Sequence, residues 1–176
     1  MKLFLISILV SFSVFAQDID LEKSVFTWTG TKVTGKHFGK VKLKAASIDE
    51  KNGHINGGEF VIDMNSISCD DLQGEWMDKL IGHLKNDDFF GVDKHPTATL
   101  KIKHGMNGKL EGDLTIKGVT SAVSLDYKNE GNIYSGTMKF DRTKFGIQYG
   151  SGSFFKGLGD KMIHDEVTVD FQVVTK

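Results

Sequence analysis

The sequence predicts an all-β protein, an antiparallel barrel of about eight strands with one amphipathic helix near residues 72–85. Three observations support this prediction. Apolar residues recur at every second position in about eight runs, turn-forming dipeptides separate several of the runs, and a single segment departs to a helical spacing. Glycine is also frequent, at 20 of 176 residues, which is typical of a chain with many tight turns.

The predicted strands are defined by alternation of apolar and polar side chains. Val41, Leu43 and Ala45 alternate with lysines, so we expect these three apolar groups to face inward and the ammonium groups to face water. The same alternation returns at Phe26 and Trp28; Phe60, Ile62 and Met64; Ala98, Leu100 and Ile102; Leu110, Leu114 and Ile116; Val123, Leu125 and Tyr127; Tyr134, Met138 and Phe140; and Val167, Val169, Phe171 and Val173.

The connections between these runs favour hairpins. Asn52-Gly53, Asn107-Gly108 and Gly131-Asn132 reach positive φ at low cost, so consecutive strands are expected to be antiparallel. Glycines inside the strand patterns, such as Gly112 and Gly136, indicate bulges or bends that let a sheet curl. Together these features predict closure of the sheet into a barrel.

One segment has helical periodicity. Leu72, Trp76, Leu80 and Leu84 form an apolar stripe, and Asp70 or Asp71 is placed to cap its start. The loop that follows leads to His95-Pro96 at the start of the next strand. We expect the helix and this loop to cover one end of the barrel.

The first residues have the pattern of a secretory signal peptide. Lys2 precedes an apolar run, and Val14-Phe15-Ala16 offers small residues at the cleavage positions. We expect cleavage after Ala16, a single domain over residues 17–176, and a periplasmic or secreted location. The formal net charge of −1 disfavours nucleic-acid binding, and the one cysteine, Cys69, excludes an intramolecular disulfide.

The sequence lacks the familiar signatures of catalysis and metal binding. No two of the six histidines have the close spacing of a zinc site, and no nucleophile elbow or phosphate-binding loop is present. We therefore expect no catalytic residues, no metal and no cofactor. A stripe of lysines could attract an anionic membrane, although a solvated strand face is the simpler interpretation. Its members are Lys32, Lys36, Lys40, Lys42 and Lys44.

Three sequence blocks together resemble the YceI-like family. They are residues 83–90 (HLKNDDFF) with 95–98 (HPTA), residues 112–120 (GDLTIKGVT), and residues 140–147 (FDRTKFGI). The blocks occur in the family's order, and the resemblance covers about residues 18–174. It implies a lipocalin-like barrel whose apolar pore binds isoprenoids, isoprenoid quinones or other long amphiphiles, often in an exported and dimeric protein. No catalytic residue or metal comes with it.

These considerations predict a lipid-binding protein that holds a long apolar chain in its pore for transport or storage, with transient membrane contact and a homodimer as further expectations. Arg142, Tyr149 or His83 would contact a head group at the mouth. Two alternatives stay open: a structural or partner-binding barrel with a filled core, and a lipid-modifying enzyme acting through His83 or His164. The predicted ligand-binding residues are Phe26, Trp28, Phe60, Ile62, Leu80, Leu84, Phe89, Leu100, Leu114, Ile116, Leu125, Phe140, Arg142, Phe145, Val169 and Phe171.

Overall fold

Eight antiparallel strands follow one another around a closed barrel, and the last strand pairs with the first. The computed structural model describes residues 15–51 and 54–176. The strands are β1 (Phe15–Lys32), β2 (Gly35–Lys51), β3 (His54–Asp63), β4 (Thr97–Met106), β5 (Lys109–Ile116), β6 (Val119–Glu130), β7 (Ile133–Asp141) and β8 (Ile163–Thr175). One α-helix, α1 (Gly74–Lys85), lies in the β3–β4 connection. The predicted fold class is confirmed.

Two predictions concern residues at or beyond the limits of the described ranges. Most of the predicted signal peptide lies in residues 1–14, and the predicted turn at Asn52-Gly53 falls between β2 and β3; both stretches are outside the described residues. β1 begins at Phe15, and Phe15 and Ala16 lie opposite Glu50 and Asp49 of β2. The predicted cleavage point after Ala16 therefore falls within the first residues of β1. No helix in the described part of the chain has the length and apolar character needed to cross a membrane.

The barrel has two different ends. We call one the helix end, because it carries α1 together with the β1–β2, β5–β6 and β7–β8 connections. The opposite end, the hairpin end, carries the β2–β3, β4–β5 and β6–β7 connections. The predicted turn at Asn107-Gly108 has positive φ at both residues, 53° and 76°, as a tight two-residue hairpin requires. Buried apolar residues form one cluster towards each end.

A bulge in β2 changes which side chains face the interior. Leu43 lies opposite Ile62 and Ala45 lies opposite Val61, so the intervening Lys44 is an extra residue in β2. Leu43 is buried as predicted, but Ala45 is exposed, and Ile48 is buried further along the strand. The prediction that Ala45 faces inward is wrong because one inserted residue moves all later side chains to the other face.

The segment that precedes α1 is paired with the edge of β2. Ser68 donates its backbone N–H to the Lys40 carbonyl at 2.9 Å, and Asp70 donates to the Phe38 carbonyl at 2.8 Å. The chains lie so close that a Cβ on Gly39 would be 2.0 Å from the Ser68 carbonyl oxygen. This crossover segment, residues 66–71, therefore replaces β3 beside the first half of β2.

The helix is confirmed, but its predicted capping is wrong. α1 begins at Gly74, and Gln73 at its N-cap makes no side-chain capping hydrogen bond. The Asp71 carboxylate instead accepts a hydrogen bond from the Phe38 backbone N–H at 2.9 Å and lies 2.8 Å from His37 Nδ1. Asp71 thus fastens the crossover segment to β2 rather than starting the helix.

Strands β6 and β7 separate towards the helix end. Their register contains five residue pairs, from Glu130–Ile133 near the hairpin to Asp126–Thr137, whereas β7 and β8 share nine pairs. Beyond Asp126, β6 continues to pair with β5, and β7 continues to pair with β8. We call the unpaired stretch the β6–β7 seam.

Candidate functional site

The interior of the barrel contains two apolar cavities, one towards each end. The helix-end cavity has a volume of about 130 Å³ and the hairpin-end cavity about 50 Å³. The helix-end cavity is lined by Phe26, Trp28, Gly30, Val41, Phe60, Ile62, Met64, Ile67, Leu84, Phe89, Phe90, Ala98, Leu100, Leu114, Ile116, Met138, Phe140, Val167 and Val169. The hairpin-end cavity is lined by Phe26, Ile48, Ile55, Phe60, Leu100, Ile102, Leu110, Leu125, Tyr127, Tyr134, Met138, Val169, Phe171 and Val173.

Side chains divide the two cavities at a waist. The waist consists of the residues that line both cavities: Phe26, Phe60, Leu100, Met138 and Val169. The Phe26 ring centroid lies 6.3 Å from that of Phe60 and 6.2 Å from that of Phe171. Methionine is flexible and adapts to irregular space, so Met138 is the waist residue that can move most easily. Rotation of these side chains would join the two cavities into one apolar space.

The cavity walls extend over much of the barrel's height. On β8 the wall runs from Val167 in the helix-end cavity to Val173 in the hairpin-end cavity, a strand length of about 20 Å at about 3.3 Å per residue. A space of this length and apolar character suits an extended hydrocarbon chain. The arrangement follows directly from period-two alternation, because each strand contributes every second side chain to the interior.

The crossover segment and α1 close the helix end. The Trp28 indole Nε1 donates to the Ser68 carbonyl at 3.0 Å, so the edge of the cavity is fixed to this cover. After α1 the chain turns back, and Phe90 donates its backbone N–H to the Leu84 carbonyl at 3.1 Å. The turn places Phe89, which is 6% exposed, in the cavity wall.

The Arg142 side chain is buried and bonded to the protein's own backbone. It is 1% exposed, and its guanidinium donates to the carbonyls of Ile147 (3.0 Å), Ile163 (3.1 Å) and His164 (3.1 Å). A fourth bond, at 3.3 Å, reaches Asp165 Oδ1. Burial lowers the pKa of Arg142, against the opposing effect of the Asp165 charge. The guanidinium therefore holds the β7–β8 connection together, and its donors are directed at the protein's own backbone.

Asp165 is the acidic partner of this buried group. Burial of the carboxyl acts to raise its pKa, but hydrogen bonds from Ser153 and Ser151 and the charge of Arg142 outweigh burial. The pKa of Asp165 consequently lies below its usual value. The Ser153 hydroxyl donates to Asp165 Oδ2 at 2.6 Å. The carboxylate thus links both arms of the β7–β8 connection.

His83 lies at the rim of the helix end. Its ring centroid is 5.4 Å from Phe89 and 4.3 Å from Tyr149, and its Nδ1 is 3.9 Å from Asp88 Oδ1. Its Nε2 is buried and has no hydrogen-bond partner within the described part of the chain. Tyr149 is 48% exposed. The pair therefore joins α1 to the β7–β8 connection through ring contacts.

A polar cluster lies at the hairpin end. The Tyr134 hydroxyl donates to Glu50 Oε2, and Gln17 Nε2 donates to the same oxygen at 3.3 Å. Burial is the main cause of the raised pKa values of Tyr134 and Tyr127, and the Glu50 charge adds to both shifts. The tyrosine rings line the hairpin-end cavity, with centroids 6.2 Å apart. Sequence reasoning missed this cluster because the β2 bulge must be known before Glu50 can be placed.

The structure brings most of the predicted ligand-binding residues together in the cavity walls. Those that line one or both cavities are Phe26, Trp28, Phe60, Ile62, Leu84, Phe89, Leu100, Leu114, Ile116, Leu125, Phe140, Val169 and Phe171. Their contact with a ligand stays a prediction. Wall residues that the predicted set omitted include Ile48 and Ile55 beyond the β2 bulge and Met64, Ile67 and Phe90 from the β3–β4 connection.

Three predicted residues lie elsewhere. Leu80 packs against the outside of the helix-end cluster, and Arg142 bonds to backbone carbonyls as described above. Phe145 is 1% exposed and meets Phe140 edge to face, with centroids 5.6 Å apart. Phe140 and Phe145 also line a cleft of about 150 Å³ at the β6–β7 seam. Phe140 therefore stands between this cleft and the helix-end cavity.

Comparison with solved structures shows the same fold in other proteins. BcnA of Burkholderia cenocepacia is 22% identical, with a TM-score of 0.70 over 90% of this chain and 100% of that one. A polyisoprenoid binding domain from Saccharophagus degradans is 15% identical, with a TM-score of 0.62 over 93% of this chain and 99% of that one. A Campylobacter jejuni YCEI protein is 17% identical, with a TM-score of 0.54 over 100% of this chain and 99% of that one.

Sequence comparison identifies the family. A UPF0312 protein of Pectobacterium carotovorum subsp. carotovorum (strain PC1) is 35% identical over 88 residues, covering 48% of this chain and 43% of that protein. One from Staphylococcus aureus (strain bovine RF122 / ET3-1) is 38% identical over 80 residues, covering 38% of this chain and 46% of that protein. The chain thus spans less than half the length of these relatives. The family model for the YceI-like domain matches residues 17–175. The chain belongs to the YceI-like family.

Proposed function

We propose that this protein binds one long apolar chain, of the isoprenoid, isoprenoid quinone or fatty-acid type, inside the barrel and carries or stores it. The observation that supports the proposal is the apolar space that runs through both cavities, separated only at the side-chain waist. The name of the Saccharophagus degradans neighbour, a polyisoprenoid binding domain, points to the same ligand class.

The free energy of transfer favours reversible binding of the apolar chain. Burial of methylene groups from water is worth about 0.8 kcal/mol each, so a chain of thirty or more carbons would nominally exceed the ceiling of about 18–21 kcal/mol for non-covalent affinity. Such a chain starts in a membrane, however, where it is already out of water. Its transfer into an apolar cavity is therefore close to neutral, which suits a carrier or a reservoir.

The waist must move to admit such a ligand. A cavity of about 150 Å³ accommodates a molecule the size of benzene, and the helix-end cavity of about 130 Å³ is of that order. A longer chain must therefore pass between Phe26, Phe60 and Met138 into the hairpin-end cavity. Met138 is the position at which a bulky substitution would block this passage.

The decisive experiment is native mass spectrometry of residues 17–176, purified without detergent and then offered lipid vesicles that contain an isoprenoid or a fatty acid. We expect one long-chain molecule per protein, identified after solvent extraction. Met138→Trp should abolish loading by filling the waist. The same substitution at the half-exposed Met106, Met106→Trp, is the matched control and should load normally. A wild-type protein that stays at its bare mass would favour a barrel with a filled core.

We also propose that the protein is exported and cleaved after Ala16. The family match that begins at Gln17 supports this boundary. N-terminal sequencing of protein recovered from outside the cytoplasm should begin at Gln17; a chain that retains Met1 there would contradict the proposal. The same native spectra report whether the protein is a homodimer.

A further inference from the structure

We infer that the helix end of the barrel docks on an anionic lipid surface. This inference extends the proposed function, since it names the surface from which the apolar chain is collected. The docking surface, here called the rim surface, consists of the β1–β2 connection with its flanking lysines (32–36), Trp76 on α1, and residues 148–162 of the β7–β8 connection.

Exposed apolar side chains are concentrated at this end. Within the described ranges, eight large apolar residues are exposed; five of them lie in the connections or the helix of the helix end, and a sixth, Val119, is the first residue of β6 at the same end. The six are Val33 (50%), Trp76 (71%), Val119 (42%), Tyr149 (48%), Phe154 (50%) and Phe155 (50%). Single exposed apolar residues are ordinary, but a concentration that includes all four aromatic residues exposed in the described part of the chain marks an interaction surface.

Contacts link the three parts of the rim surface. Trp76 precedes His83 by seven residues, so both lie on one side of α1, and His83 packs on Tyr149. At the other side of the β7–β8 connection, Met162 accepts the Val33 backbone N–H at 3.2 Å. The rim surface therefore reaches from the helix across the β7–β8 connection to the β1–β2 turn.

The two phenylalanines are held in position by backbone hydrogen bonds. Phe154 and Phe155 both donate their N–H groups to the Ser151 carbonyl, at 3.2 Å and 2.9 Å. Ser151 itself is fully buried, and Ile163 donates its N–H to the neighbouring Gly150 carbonyl at 2.8 Å. Because the turn is already formed, presenting two half-exposed aromatic rings needs little further ordering.

The charge of the rim surface is complementary to anionic lipid. Residues 32–36 and 148–162 carry four lysines against one aspartate, a net charge of +3, whereas the whole chain has a net charge of −1. Lysines beside exposed aromatic rings are the combination expected at the boundary between water and lipid. The charged residues counted are Lys32, Lys36, Lys156, Lys161 and Asp160. Lys79 lies 5.1 Å from the Trp76 ring and 2.7 Å from Glu75, so this ion pair beside Trp76 adds no net charge.

The rim surface lies next to the helix-end cavity. The larger of the two cavities is the one at the helix end, and Gly30 of its wall lies two residues before Lys32 of the rim surface. A barrel docked by this end would bring the cavity wall next to the membrane. The apolar chain would then move from bilayer to cavity over a short path without crossing water.

Trp76 provides a direct readout. Of the two tryptophans, Trp28 is 9% exposed and Trp76 is 71% exposed, so a blue shift of emission on mixing with vesicles reports burial of Trp76. We expect the shift with phosphatidylcholine vesicles that contain about 30% phosphatidylglycerol, little shift with phosphatidylcholine alone, and loss of the shift at high salt. Trp76→Phe should remove the signal while vesicle sedimentation still detects binding.

Two sets of variants test the surface itself. Lys156→Gln with Lys161→Gln should weaken binding by about fivefold per lysine, or about 25-fold together. Adding Phe154→Ser with Phe155→Ser should weaken vesicle binding further. All four positions are exposed, so we expect these variants to keep the fold. The matched control, Lys101→Gln with Lys109→Gln, removes two exposed lysines from the barrel wall and the hairpin end and should leave binding unchanged.

The outcomes separate this inference from the proposed function. Loading of a water-soluble, short-chain fluorescent lipid analogue needs no membrane, so the rim variants should load it as well as the wild-type protein does. The docking inference is refuted if the wild-type protein loads the analogue but does not bind anionic vesicles. It is also refuted if the control variant loses as much vesicle binding as the rim variants. In both cases the proposed binding of an apolar chain stands. If a dimer dissociates on Phe154→Ser with Phe155→Ser and no vesicle binding occurs, the surface joins two copies and the inference is also refuted.

Discussion

Replacement of Arg142 tests whether this residue is part of the scaffold or of a head-group site. Arg142→Met keeps the bulk of the side chain but removes all four hydrogen bonds to Ile147, Ile163, His164 and Asp165. Each buried carbonyl that loses its donor costs about 1–3 kcal/mol, and partial relaxation makes the costs less than additive. We therefore expect the free energy of unfolding to fall by about 3–5 kcal/mol, the range for breaking a buried ionic group.

Urea unfolding followed by far-ultraviolet circular dichroism measures this change. Arg142→Lys is the informative control, since it keeps the charge but cannot reach three carbonyls at once, and it should recover less than half of the loss. Well below the melting temperature, where Arg142→Met is still folded, its affinity for a long-chain ligand should stay within about twofold of the wild-type value. A loss of under about 1 kcal/mol in stability together with a large loss of affinity would refute the scaffold role and restore the head-group role.

Three further predictions concern other contacts. Tyr134→Phe leaves the Glu50 carboxylate without its phenol donor, so the free energy of unfolding measured in urea should fall by about 1–3 kcal/mol. Because the folded-state pKa of Tyr134 is raised, the wild-type protein should also lose stability as pH rises above about 10, and the variant should lose less. Gly39→Ala, whose Cβ would meet a carbonyl of the crossover segment at 2.0 Å, should lower the melting temperature by many degrees, whereas Gly35→Ala on the same strand meets nothing within 4 Å and should have little effect. The pKa of Asp165 is lowered in the folded state, so its contribution is present above about pH 4 and is lost as pH falls below that value; in an acid titration Asp165→Asn should reduce this loss, and an unchanged acid limb would contradict the assignment.

The sequence was sufficient for the fold because alternation specifies both the strands and their inner faces. The β4 run Ala98, Leu100 and Ile102 faces the cavities as predicted, since no bulge lies between these residues. The β2 run failed at Ala45, where Lys44 is an inserted residue. An inserted residue leaves no mark in the local pattern, because its presence depends on which neighbour each strand pairs with.

The polar residues of the site were harder to predict for a related reason. Arg142 was assigned to the mouth, as a charged residue beside an apolar pore. It is instead buried among carbonyls that come from 21 and 22 residues later in the chain and from its own turn. Asp71 precedes a helix, the usual place for a cap, yet its partner is Phe38 on β2. Spacing along the chain predicts a capping hydrogen bond between neighbouring residues well. A hydrogen bond between residues that are distant in sequence can be predicted only once the topology is known.

The β6–β7 seam gives the barrel a place to open without unfolding. Five residue pairs hold these strands together near the hairpin end, so a transient separation at the seam breaks no β6–β7 ladder hydrogen bonds beyond Asp126. Among the described residues, Phe140 is the one that lines both the cleft outside and the helix-end cavity inside, and turning its ring would connect the two. The rate at which a chain enters or leaves would then depend on a local fluctuation rather than on the stability of the whole protein, so a carrier could hold its cargo in a very stable barrel and still release it promptly.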